Sequence, residues 1–591
     1  MRGLLFGGAA AMVLSASVPV PVAIAQPTVQ DPSPVRCNTG QTDDYAGTAG
    51  YGNAAIAGVA APPAPPPPPM MVAPAPVMAP AASSESDMVV VTGVRSKMTS
   101  SSRQTRTAGG ITSSSIGYAA PASEPNTENY DGKAVSSVVR VTDQPVSTFS
   151  VDVDTGAYAN VRRMLNAGET PPEAAVRTEE MLNYFRYDYP LPQDKTKPFS
   201  ITTNVVQTPW NPQSRLLRVG LRAYDVPREV RPAANLVFLV DVSGSMDEPD
   251  KLPLVKSALS LLADNLRPDD TVSIVVYAGN AGMVLAPTHD GRYVKQALEC
   301  LAAGGSTAGG EGIALAYDTA RANFIKGGVN RVILATDGDF NVGVSDTKDL
   351  EALIKQNRDS GVTLTTLGFG EGNYNEAGME HMADVGNGNY AYIDNALEAR
   401  KVLDDELEST LVTVAKDVKI QVEFNPAQVS QYRLIGYEDR ALREQDFNND
   451  AVDAGDIGAG HQVTALYEII PAGTEGWVPE RHFDGNKPAA TDAHGNEMVY
   501  VKLRYKLPNE DQSRLIEQAV PASALTAARA PSGDMAFATS VAAYGQLLRG
   551  DTNMGTFTMG NVRELAGEQS GYLRSEFVEL TKLVDHSAAR N

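Results

Sequence analysis

The chain has 591 residues, 71 Asp and Glu against 49 Lys and Arg, a formal net charge of −22 and 42% hydrophobic residues. At about 150 residues per domain, this length allows three or four folded units. The charge excludes a nucleic-acid backbone or an anionic membrane surface as an electrostatic partner, since both need a basic face. Two cysteines, Cys37 and Cys300, exclude a disulfide scaffold and a Cys-based zinc cluster.

The chain opens on Met1-Arg2, a short apolar run over 4–13, and the small-residue site Ala23-Ile24-Ala25. This pattern predicts a secretory signal peptide over 1–25 with Gln26 as the mature N-terminus. No other stretch reaches 18 apolar residues, so the mature chain is expected to be soluble, without a transmembrane segment. Residues 26–144 are rich in Ala, Pro, Ser, Gly and Thr, with a proline run over 62–69. That composition predicts a disordered, partly polyproline linker. Cys37 follows Val35-Arg36, where a lipoprotein site needs small residues, and is expected to be a free thiol. Cys300 is expected at a buried helical position. Within the linker, Val89-Val90-Val91-Thr92-Gly93 resembles a short segment near the N-terminus of TonB-dependent outer-membrane receptors. It reads either as a strand for addition to an envelope partner or as a β-prone patch in a linker.

From 145 to 230 the sequence predicts a folded N-terminal segment, with strands at 147–154, 199–206 and 215–223 and helices at 158–167 and 173–185. Asp152 and Asp154 read as solvent-facing strand-end carboxylates, because no Gly-containing calcium loop follows. Residues 235–240 are a continuous apolar run, as in a strand buried on both faces. Further strands are predicted at 272–278, 283–287, 331–336, 363–369 and 390–393. Helices are predicted from 252 and at 310–324, 346–357 and 376–385. Strands alternating with helices at this rhythm predict an α/β fold with a doubly wound, mostly parallel sheet, whose ligands bind beyond the carboxyl ends of the strands.

Three loops at that end carry oxygen ligands. Asp241, Ser243 and Ser245 form a D-x-S-x-S turn, Thr307 sits in Gly304-Gly305-Ser306-Thr307, and Asp337 directly follows a strand. Two carboxylates and three hydroxyls make a hard donor set suited to Mg²⁺ or Mn²⁺. The neutral hydroxyls leave the ion electrophilic toward an external ligand, for which a partner carboxylate is the natural choice. These residues match the metal-ion-dependent adhesion site of von Willebrand factor type A domains, and the resemblance covers about 234–411. It implies that Ser243, Ser245 and Thr307 are metal ligands and that Asp241 and Asp337 are ligands or anchors acting through water. The whole layout resembles an exported bacterial group with characteristic segments before (147–189) and after (400–584) the A domain. Asp247, Glu248, Asp250, Glu311 and Asp339 crowd the same loops and read as a solvated acidic face, an adjacent Ca²⁺ site or a rim selecting a basic partner. Phe340 is an interface anchor or packs on its own loop.

After residue 412, strands at 418–424, 431–437, 462–470 and 498–507 have no helices between them. They are expected to form a β-sandwich with the strands at 199–223, making the A domain (231–411) an insertion. Helices at 534–548 and 572–584 close the chain and are expected to pack on the sandwich. Catalytic signatures are missing: the six histidines form no H-E-x-x-H, there is no G-x-S-x-G or P-loop, and Gly368-Phe369-Gly370-Glu371-Gly372 lacks dinucleotide spacing. The S-x-x-K at Ser345 to Lys348 reads as a helix cap. The sequence therefore predicts a non-enzymatic, Mg²⁺-bridged protein-binding module of the periplasm or cell envelope, or one secreted. Its rivals are a hydrolase using the metal with Glu311 as base, and a scaffold stabilised by its ion.

Overall fold

The computed structural model describes residues 127–151, 153–193, 196–307, 309–338, 347–479, 481 and 494–588, all within one compact unit. The expected signal peptide, the Val89 to Gly93 island, Cys37, Asp152, Asp339, Phe340, Ser345 and Asp346 lie outside these residues.

The N-terminal part comprises β1 (Val139–Arg140), β2 (Val146–Ser150), α1 (Gly156–Ala167), α2 (Thr178–Asn183), β3 (Phe199–Gln207) and β4 (Arg215–Ala223). Composition assigned 26–144 to a linker, but residues 127–144 lie on the folded unit: β1 pairs antiparallel with a later strand and Val141 is fully buried. The helix expected over 173–185 is interrupted. A 3-10 turn at Glu173–Ala175 is followed by extended backbone at Val176 and Arg177 before α2 begins. That extension lets the Arg177 guanidinium meet Glu380 in the next module, so a tertiary ion pair overrides local helix propensity. The strand expected over 147–154 ends at Ser150. Asp154 does not face solvent: it is buried, accepts the Tyr390 N–H at 2.9 Å and pairs with Arg440 at 3.2 Å.

The central module follows as β5 (Ala234–Asp241), α3 (Leu252–Asp264), β6 (Thr271–Tyr277), β7 (Ala281–Thr288), α4 (Gly291–Glu299), α5 (Gly309–Ala322), β8 (Val329–Thr336), α6 (Thr347–Asp359), β9 (Thr363–Gly368), α7 (Glu376–Val385), β10 (Tyr390–Tyr392), α8 (Ala396–Arg400) and α9 (Leu407–Leu411). Among the described residues its strands lie in the order β10-β9-β8-β5-β6-β7, all parallel except β7, which runs against β6. Every residue of β5 is buried, because helices cover both faces. Leu236, Phe238 and Val240 pack with Val255, Leu259 and Leu262 of α3, whereas Val237 and Leu239 pack with Ile313, Ala316 and Tyr317 of α5. This is the doubly wound α/β sheet that the alternation of elements predicts. Cys300, expected at a buried helical position, is half-buried at the C-cap of α4 and disulfide-bonded. Patterning reports whether a cysteine is apolar enough to bury, not whether a second one reaches it.

The C-terminal part comprises β11 (Thr413–Phe424), β12 (Val429–Ile435), β13 (Ala441–Leu442), β14 (Ile457–Gly458), β15 (Gln462–Pro471), β16 (Glu497–Lys506), β17 (Arg514–Pro521), α10 (Ser523–Ala527), α11 (Gly533–Leu548), α12 (Met559–Ala566) and α13 (Tyr572–Ala588). Two sheets form, β1-β12-β15-β4-β3 and β13-β2-β11-β16-β17, with β14 on β11. Each mixes strands from before and after the central module, and one core, including Phe149, Leu217, Val219, Ile420, Val463 and Val501, fills the space between them. The central module is thus inserted into a β-sandwich. Its entry and exit are neighbours: Tyr224 accepts the Gly460 N–H at 2.9 Å and Val412 accepts the Ala459 N–H at 2.8 Å. Helices α11 and α13 cover the outside of one sheet, where Phe537 and Phe577 pack with Phe185, Leu216 and Leu466.

Candidate metal centre

Two of the three candidate loops leave neighbouring strands at the carboxyl end of the parallel sheet, and the third, carrying Thr307, joins α4 to α5. Asp241 is the last residue of β5, Asp337 follows the last residue of β8, and β5 and β8 are paired in parallel. Ser243 and Ser245 lie in the turn after β5, which tightens into a 3-10 turn at Gly244–Met246. Thr307 lies two residues before α5. The loops are tied together by backbone: Gly304 N–H donates to the Val242 carbonyl at 2.8 Å, and Gly244 N–H donates to the Gly305 carbonyl at 3.1 Å. Gly305 has φ +89°, and a Cβ there would sit 3.3 Å from the Gly279 nitrogen, so this close loop approach needs glycine.

Asp241 and Asp337 are fully buried, Ser243 and Thr307 are nearly so, and Ser245 is exposed. The hydroxyls of Ser243 and Ser245 lie 3.0 Å apart. Asp241 is heavily partnered: Oδ1 accepts the Ser243 N–H at 2.9 Å, while Oδ2 accepts the Tyr277 hydroxyl at 3.0 Å and the Thr336 hydroxyl at 2.9 Å. Asp337 Oδ2 accepts from Lys251 Nζ at 3.3 Å and Asn373 Nδ2 at 3.1 Å. Burial pushes the Asp241 carboxyl up to about 6 and the charge of Asp337 adds to this, against the hydrogen bonds from Ser243 and Thr336.

This donor set fits a small hard cation. Two buried carboxylates whose charges repel, flanked by two hydroxyls at hydrogen-bond distance, are what a divalent ion relieves. Among the described residues no three His, Cys, Asp or Glu side chains form a metal cluster, so hydroxyls would have to complete the shell. Around the opening, Asp247, Glu248 and Glu311 are exposed and Asp250 is half-buried.

Sequence reasoning missed Tyr277, Thr336, Lys251 and Asn373. Thr336 adjoins Asp337, and its side chain was legible as a candidate. Lys251 ends the acidic run Asp247 to Asp250, where a lone cation among carboxylates was the available signal. Tyr277 and Asn373 carry no local signature, since only the parallel pairing of β5 with β6 and the fold of the loop after β9 bring them in.

Residues 235–410 match the family described as von Willebrand factor type A domain, residues 124–218 that described as von Willebrand factor, and residues 409–586 that described as uncharacterized protein YfbK, C-terminal. The uncharacterized protein YfbK of Escherichia coli is 47% identical over 475 residues, covering 78% of this chain and 82% of that protein. The uncharacterized protein sll0103 of Synechocystis is 33% identical over 187 residues, covering 31% of this chain and 43% of that protein. A solved von Willebrand factor type A structure from Catenulispora acidiphila aligns with TM-score 0.36 at 19% identity, covering 68% of this chain and 91% of that one.

Proposed function

The chain belongs to the YfbK family of proteins carrying a von Willebrand factor type A domain, and from that membership we propose that it is a metal-dependent adhesion module of the cell envelope. The type A domain makes it a protein-interaction module. On our reading, Asp241, Ser243, Ser245, Thr307 and Asp337 hold Mg²⁺ or Mn²⁺, and a partner protein supplies an Asp or Glu carboxylate to the ion. The metal would supply a Lewis-acidic contact for that carboxylate. The chain's own part is to hold the hydroxyls in stitched loops and leave Ser245 at the surface. The observation carrying this reading is the buried Asp241 and Asp337 pair beside the two facing serine hydroxyls. We place the type A module at 231–411, between an N-terminal segment over 145–230 and a C-terminal sandwich and helical segment over 412–591.

Export to the periplasm or envelope is part of the same reading. Its support is the signal-like N-terminus and the disulfide at Cys300, which favours an oxidising compartment. Among the described residues no helix is long and apolar enough to cross a membrane.

Calorimetric titration of Mg²⁺ into the mature protein tests the site. Wild type should bind, and Asp241→Ala should bind more than about a hundredfold more weakly. Affinity should fall as pH drops below about 6, where Asp241 takes up a proton that the ion must displace. A pull-down from envelope extract should retain a partner in Mg²⁺ but not in EDTA or with Asp241→Ala. Equal Mg²⁺ affinity in the variant, or an identical catch in all three conditions, would sink the metal-bridge reading.

A further inference from the structure

Lys251 lies at the N-cap of α3 and its side chain is only 6% exposed. Its ammonium sits 3.3 Å from Asp337 Oδ2, 3.3 Å from Asn373 Oδ1 and 3.9 Å from Glu248 Oε2. Asn373 completes a triangle, because its Nδ2 donates to the same Asp337 oxygen at 3.1 Å. The lysine stem runs past Gly370, whose φ is +74°. A Cβ at that position would stand 2.4 Å from both Cγ and Cε of Lys251, so the glycine leaves the channel through which the stem reaches the carboxylate. Burying an ammonium is costly unless it is paired and hydrogen-bonded, and here both conditions are met by a residue of the candidate metal site and its neighbour.

Resting on the metal-binding reading above, we propose that Lys251 is a specificity-determining residue of the site: a built-in counter-charge that keeps a bound divalent ion short of neutralisation and so makes it demand a carboxylate from outside. The charge count gives the reason. Asp241 and Asp337 bring two negative charges, and a divalent ion on them alone would be neutral. With the Lys251 ammonium on Asp337, the ion, the two buried carboxylates and the ammonium sum to one net positive charge, which the exposed Glu248 carboxylate, 3.9 Å from the ammonium, offsets only as far as solvent screening allows. In a partly buried site a unit charge so near the ligands weakens cation binding and strengthens the capture of an anion. Lys251 thus trades intrinsic metal affinity for ligand affinity. It also holds Asp337 in one orientation through Asn373, so the ligand is in place before the ion arrives.

The test uses the full mature chain with Mn²⁺ as ion and acetate as carboxylate probe. Wild type, Lys251→Met and Lys251→Gln are compared, folding being checked by circular dichroism. Methionine keeps the stem without charge or hydrogen bond, and glutamine keeps an N–H donor without charge. Calorimetry should show both variants binding Mn²⁺ about tenfold more tightly than wild type. Broadening of the acetate methyl resonance by the Mn²⁺-loaded protein should be clear in wild type and weak in both variants. Unchanged or weaker Mn²⁺ affinity in the variants overturns the proposal, as does a glutamine variant that matches wild type, since then the hydrogen bond and not the charge matters. Wild type failing to bind Mn²⁺ overturns the metal-site reading itself, and this proposal with it. That outcome is distinct from normal Mn²⁺ binding without a lysine effect.

Discussion

Glu376, at the start of α7, is fully buried, and neither of its carboxylate oxygens has a hydrogen bond. Its nearest cation is Arg177, 3.7 Å away, which is itself shared with Glu180 and Glu380. Burial pushes the Glu376 carboxyl up to about 8 against the pull of Arg177, and Glu380, Asp439 and Glu128 push the same way. The folded protein keeps this proton well above the range in which an unfolded glutamate releases it. The resulting stability is complete below about pH 4.5 and is lost as pH rises through about 8. Glu376→Gln, a mimic of the protonated form, should therefore match wild type at pH 5 and exceed it at pH 8.5 by on the order of 3 kcal/mol. Thermal melts at the two pH values check this, and a variant less stable than wild type at pH 8.5 would refute it. The same economy of partners governs Arg162, whose buried guanidinium meets Asp394, Glu398 at 2.7 Å and Glu576 at 3.0 Å, joining α1 to the central module and to α13. Removing one member of such a group leaves an uncompensated buried charge, costing about 3–5 kcal/mol.

Between elements, the short segment Thr127 to Asn129 acts as a strap on the loop after β9. Thr127 N–H donates to the Gly372 carbonyl at 2.6 Å, and Asn129 N–H donates to the Tyr374 carbonyl at 2.9 Å. Gly372 N–H donates to Glu128 Oε1 at 3.0 Å, and Glu128 pairs with Arg163 of α1 at 2.9 Å. The strapped loop carries Asn373, which holds Asp337, so the strap at 127–129 is one side chain from the candidate metal centre. Glu128→Ala removes a buried acceptor and leaves the Gly372 amide and Arg163 short of a partner, a loss of about 1–3 kcal/mol that falls mainly on this loop. Hydrogen exchange should show amides 372–375 losing protection while β5 and β8 keep theirs. Unchanged protection in the loop would mean that the strap does not hold it.

At the scale of the whole molecule, two modules share one chain because the sandwich opens and closes around the type A domain. Its strands β3 and β4 precede the insertion, and β11, β12, β15 and β16 follow it. The disulfide at Cys300 adds a constraint from outside this scheme, and the one other cysteine in the sequence is Cys37. Alkylation of the unreduced mature protein should therefore leave Cys300 unlabelled, and reduction should expose it. Labelling of Cys300 without reductant would remove both the crosslink and its support for an oxidising compartment.

Much of this molecule was determined by its sequence alone. The apolar run 235–240, the strand and helix alternation after it, and the order of Asp241, Ser243, Ser245, Thr307 and Asp337 are local patterns. Burial on both faces and polar loops at strand ends leave such patterns directly in neighbouring residues. The tertiary structure alone decided the rest. It broke the helix expected at 173–185 so that Arg177 could reach α7, buried Asp154 against Arg440, and paired Cys300. It also brought Lys251 to Asp337, 86 positions further along the chain. Each of these rests on a contact between groups far apart in sequence, and the energy of a buried charge depends on which partner arrives, which no local pattern records.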